Sequence, residues 1–171
     1  MSKNKQSNHS NHNRMTALCG VLIALALVLS YLESLVPMNF AVPGIKLGLA
    51  NLVTIIALIR LGIGYAVIIS VGRIVLSGIL FGNPLVIVYS LAGAFLSMGI
   101  MWLVRKLHFF TVTGVSICGA IAHNAGQLIV AAIAMENASV LYYMVVLSVT
   151  GLAAGLAIGL LASYLLKNIR F

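Results

Sequence analysis

Apolar runs long enough to cross a bilayer follow one another from Met15 to Leu166, and charged side chains fall almost wholly in the breaks between them. A soluble domain carries about 25% charged residues, whereas this chain of 171 residues has 7%, with two Glu and no Asp. So few charges cannot cover a globular surface in water. An ordinary soluble enzyme is excluded, and an all-α integral membrane protein is expected. At roughly 20 residues per crossing, the apolar part accommodates six helices in one bundle.

Punctuation by Pro, Gly and Asn places these helices at about 15–36, 45–60, 64–81, 85–104, 112–135 and 139–166, forming one domain over 15–171. Residues 1–14, rich in Asn, Ser and His, read as a flexible polar cytoplasmic tail. The net charge of +8 would suggest nucleic acid in a soluble protein, but the charges lie at helix boundaries and in the tails. Lys3, Lys5, Arg14, Arg60, Arg105, Lys106, Lys167 and Arg170 collect on one side, which the positive-inside rule makes the cytoplasmic one. Both termini are then expected inside a bacterial cell membrane, with the lipid bilayer and not nucleic acid as surroundings. Cys19 and Cys118 lie apart in apolar runs and predict no disulfide, and His9 and His12 lack the further ligands of a metal site.

Chemistry is limited by what is missing. The chain has no phosphate-binding loop for ATP and no Asp to hold a magnesium diphosphate, so no catalytic residue, metal or cofactor is expected. Polar side chains inside a membrane are costly and mark purpose or partnership. Arg73 comes out roughly 14 Å into the third helix, near the bilayer centre. Ser70, Arg73 and Ser77 share one face, as do Ser116, His123 and Gln127 on the fifth helix, with Asn124 beside them. Asn51 and Thr54 on the second helix and Tyr89 and Ser90 on the fourth add further polar groups. Converged on one cavity in the centre and outer half, they would bind a small anionic or heteroaromatic ligand. Arg73 would be the anion contact, with His123, Asn124, Gln127 and Ser77 giving specificity and Asn51, Tyr89 and Lys46 lining the entrance. Glu33 reads as a solvated helix end or a partner of Lys46. The stripes Thr16/Gly20/Ala24 and Gly151/Gly155/Gly159 allow close helix contact, within the bundle before any partner.

Four strings carry a resemblance: Lys46-Leu-Gly-Leu-Ala-Asn51, Arg73-Ile-Val-Leu-Ser-Gly-Ile-Leu-Phe-Gly82, Tyr89-Ser-Leu-Ala-Gly93 and Ala122-His-Asn-Ala-Gly-Gln127. They resemble the Gx transporter family, also labelled heptaprenyl diphosphate synthase component I, over about Thr16 to Leu166. That family is similar to the substrate-capture subunits (S-components) of energy-coupling factor (ECF) transporters, and its members resemble components placed near flavin-based extracellular electron transfer in Gram-positive bacteria. The resemblance implies a six-helix capture subunit for a micronutrient or cofactor precursor. A coupling protein and ATPase subunits would be its partners. The other label implies a non-catalytic membrane accessory of heptaprenyl diphosphate and quinone synthesis, or of flavin-based extracellular electron transfer. A prenyl synthase catalytic subunit would then be the partner.

Overall fold

The computed structural model describes residues 2–35 and 48–168, with side chains from residue 13 onward. Among these residues every regular element is helical: α1 Ser2–Leu35, α2 Leu49–Arg60, α3 Ile63–Phe81, α4 Pro84–Lys106, α5 Val112–Ala134 and α6 Met144–Asn168, with a 3-10 segment Ala138–Tyr143 before α6. Boundaries follow local chemistry. Asn83 caps α4 by accepting from the Val86 N–H at 2.9 Å, with Pro84 in the first turn. Thr111 caps α5 through the Gly114 N–H at 3.2 Å.

Three expectations change. Residues 2–14 continue α1 as helix, because extending an existing helix costs far less than starting one. The sixth helix begins at Met144 rather than Ser139, the intervening residues forming the tighter 3-10 segment. The third change matters most for function. The described part of the second helix starts at Leu49, where Gly48 adopts φ 75°, a left-handed conformation that glycine enters without steric cost. Its 12 residues span only about 18 Å, against a hydrocarbon core of about 30 Å. Among the described residues, five helices are therefore long and apolar enough to cross a membrane, over Asn13–Leu35, Ile63–Phe81, Pro84–Lys106, Val112–Ala134 and Ala138–Asn168. By the same rise per residue, α2 starts near mid-depth.

The helices pack as two groups. In one, α1, α2 and α3 all touch each other; in the other, α5 lies between α4 and α6. The groups meet through α3 against α4 and α2 against α6. An apolar cluster from all six helices, including Leu22, Leu58, Ile69, Met101, Val115 and Ile158, fills the half of the bundle where α2 ends and α3 and α5 begin. Arg14, Arg60, Arg105, Lys106 and Lys167 mark that side, here called the basic end.

Two of these arginines also complete helix ends. The last carbonyls of a helix have no partner inside it. Arg105 donates through Nη1 to the Leu58 carbonyl and through Nη2 to the Ile59 carbonyl at 3.0 Å, while Arg60 Nη2 donates to the Leu166 carbonyl at 2.6 Å. Each side chain thus ties its own helix to the C-terminus of a neighbour. Arg105→Ala should lower stability by about 1–2 kcal/mol, since two charge-assisted bonds are lost from a partly solvated position. A thermal melt in detergent measures this, and an unchanged melting temperature would refute the role.

The small-residue stripes separate. A Cβ at Gly155 would stand 2.7 Å from the Ile117 Cα, and one at Gly159 the same distance from the Thr113 Cα. The α6 stripe therefore lets α5 and α6 touch backbone to backbone, inside the bundle. Thr16, Gly20 and Ala24 are instead exposed, and nothing lies within 4 Å of a Cβ placed at Gly20.

Candidate ligand-binding site

A cavity of about 90 Å³ lies between the two helix groups, lined by residues from all six helices. It borders the apolar cluster at Ile55, Met101 and Ile158 and is partly open. The α1–α3 wall contributes Glu33, Gly48, Asn51 and Arg73. The polar side chains of the opposite wall are Ser90, Ser97, Ser116, His123, Asn124, Gln127 and Thr150. Arg73 stands about 15 Å from the basic end of α3, and His123 about 17 Å from that of α5, so both lie near mid-depth.

Arg73 is held but not satisfied. Its Nη2 donates to Asn51 Oδ1 at 2.9 Å, while its buried Nε has no hydrogen-bond partner. A guanidinium offers five N–H donors and tolerates burial only when these are paired. Asn51 is placed for this contact by α2 starting at mid-depth, one turn before the side chain is needed. Glu33, near the end of α1, accepts a hydrogen bond from the Gly48 N–H at 2.5 Å and interacts electrostatically with Arg73. Its carboxylate thus lies at the positive end of the α2 dipole.

On the opposite wall, Asn124 Nδ2 donates to the Leu147 carbonyl at 2.8 Å, and Thr150 Oγ1 donates to the same carbonyl at 3.2 Å. Asn124 therefore joins α5 to α6 as well as lining the cavity. His123 and Gln127 reach it because α4 carries no side chain at Gly93: a Cβ there would stand 2.8 Å from the His123 carbonyl oxygen and 2.9 Å from the Gln127 Cγ.

Of the residues singled out from sequence, Arg73, Asn51, His123, Asn124 and Gln127 line one cavity. Tyr89 and Ser77 are outside its lining. One position along α4, Ser90 takes the place expected for Tyr89, and the Ser77 hydroxyl donates to the Ile74 carbonyl at 3.1 Å. Lys46 lies outside the described residues. The cavity also reaches further toward the basic end than the outer half, to Ser97 and Ser116. Ser97 and Thr150, isolated small hydroxyls in apolar runs, carry no signal in the sequence, and Glu33 lines the cavity where a solvated helix end or a partner of Lys46 is expected. Among the described residues, no group of three or more His, Cys, Asp or Glu could hold a metal ion.

Compared with known families, residues 22–165 match the model of heptaprenyl diphosphate synthase component I. The chain belongs to that family. The match takes in all six helices and every described cavity residue, so cavity and family membership concern the same fold. Its description names one component of a heptaprenyl diphosphate synthase. Neither a curated protein nor a solved structure gives a match.

Proposed function

We propose that the protein is the non-catalytic membrane component of a prenyl diphosphate synthase system and that its cavity binds a small polar metabolite. The observation that carries the binding role is Arg73: buried near mid-depth with Nε unpartnered, facing a cavity of polar side chains. A purely structural arginine would have its donors paired with carbonyls, as Arg105 does at the basic end. The family description supports the partnership with a catalytic synthase subunit. Orientation follows from the basic end being cytoplasmic, which would put the partner's docking side there.

The test is reconstitution in liposomes with a heptaprenyl diphosphate synthase catalytic subunit. The catalytic subunit is expected to join the membrane only when this chain is present, and the chain alone is expected to form no product. Product from the chain alone, or a catalytic subunit indifferent to it, would contradict the accessory role.

A second reading is favoured by the cavity itself, which draws on all six helices in the manner of a capture site. In that reading the protein is the capture subunit of a transporter energised by a coupling protein and ATPases. Ligand uptake that depends on those subunits and is lost when Ala154→Phe fills the cavity would favour it over the accessory role.

A further inference from the structure

The cavity holds one carboxylate as well as one guanidinium, and this limits what charge its ligand can carry. Glu33 and Arg73 line the same α1–α3 wall and interact electrostatically. Arg73 contributes one positive charge and Glu33 one negative charge. The start of α2, where Gly48 meets the cavity, adds about half a positive charge. Among the described residues no other Lys, Arg, Asp or Glu lines the cavity. The buried, unpartnered Nε of Arg73 calls for one acceptor, and a carboxylate can take two of its N–H groups at once. Among these residues a second or third negative charge would find no further Lys or Arg and would face Glu33 in a partly enclosed space.

We infer that the cavity takes a small monocarboxylate and rejects diphosphates, the acid's carboxylate on Arg73 and its remaining polar atoms on Ser90, His123 and Gln127. The inference rests on the binding role proposed above and narrows it to a ligand class. It also separates the cavity's ligand from the diphosphates handled by the catalytic subunit. Size sets a limit: an apolar cavity of about 150 Å³ holds benzene in an engineered protein. At about 90 Å³ this one encloses less than a ring, so a one-ring acid would seat its carboxylate inside with the ring in the open mouth.

The experiment compares benzoate, its neutral isostere benzamide and inorganic diphosphate as probes. Binding to the full chain in detergent is followed by calorimetry, with wild type and Glu33→Gln side by side. In the wild type, benzoate is expected to bind at least tenfold tighter than benzamide and than diphosphate. Glu33→Gln removes the cavity's negative charge and should shrink the benzoate-to-diphosphate ratio at least tenfold, the scale expected for unit charges in a partly buried site. The wild-type comparison stands without the variant should Glu33→Gln fail to fold. Diphosphate binding as tightly as benzoate, or benzamide matching benzoate, would overturn the inference and leave the cavity a binding site of another class. Failure of all three probes would also overturn it, while the binding and accessory roles would still be judged by synthase reconstitution.

Discussion

Arg73→Met should weaken binding of the cavity's ligand at least about thirtyfold. Methionine matches the length of the arginine stem and fills the same space but offers no donor. The ligand's anionic group would then enter the cavity facing Glu33 and the Asn51 carbonyl oxygen, both acceptors. Truncating one partner of a buried, hydrogen-bonded charge pair costs about 2–5 kcal/mol, most of it the penalty of leaving the other charge unpaired. Calorimetry on the two proteins reads this directly. Arg73→Lys is the informative companion, because it keeps the charge and loses the planar fork. It should recover part of the affinity but not all of it. Equal affinity in wild type and Arg73→Met would show that the guanidinium does not touch the ligand.

Gly126→Leu should be among the most damaging single changes in the bundle. A Cβ at Gly126 would stand 2.7 Å from the Ala92 carbonyl oxygen and 2.8 Å from the Gly93 Cα. Both are backbone atoms, so neither can swing aside, and α4 and α5 would have to separate. The expected loss is at least about 3 kcal/mol, or roughly 6–12 °C in melting temperature for a chain of this length. Ligand binding should fall with it, because the same crossing sets His123 and Gln127 against Gly93. Gly20→Leu supplies the contrast. Nothing lies within 4 Å of a Cβ there, and its effect should stay within about 0.5 kcal/mol. Similar melts for the two variants would mean that α4 and α5 do not cross as described.

The difference between these glycines marks how far the sequence could be read. Gly20 and Gly155 both lie in four-residue stripes, and spacing alone makes them equivalent. Only packing shows that one meets the Ile117 Cα and the other meets nothing. The face formed by Ser116, His123 and Gln127 was legible because helical periodicity is insensitive to small boundary errors. Arg73 was legible because a charge inside an apolar run is rare at any position. The depth of α2 was not. The run from Ile45 to Arg60 reads as one apolar segment with scattered polar residues and no break at residue 48, and the left-handed Gly48 that opens the described helix has no signature beyond being one of 16 glycines. Missing that start hid the reason Glu33 reaches the site: its hydrogen-bond partner is the Gly48 N–H itself. Tyr89 and Ser90 show the remaining limit, since one residue on a helix turns the side chain by about 100° and a boundary error moves the wrong one into the cavity.

The central claim is that Arg73 is kept for a ligand and not for the fold, and ligand-free stability tests it most directly. The measurement is the melting temperature of Arg73→Met against wild type, both purified in detergent without added ligand. A buried guanidinium with an unpaired donor costs stability, and in Arg73→Met the Glu33 carboxylate keeps its hydrogen bond from the Gly48 N–H at the start of α2, so one buried charge is removed without leaving the other unpartnered. The account predicts that Arg73→Met melts at the wild-type temperature or above it. A fall of more than about 5 °C would mean that the Asn51 and Glu33 interactions of Arg73 hold the bundle together, and the claim would be contradicted.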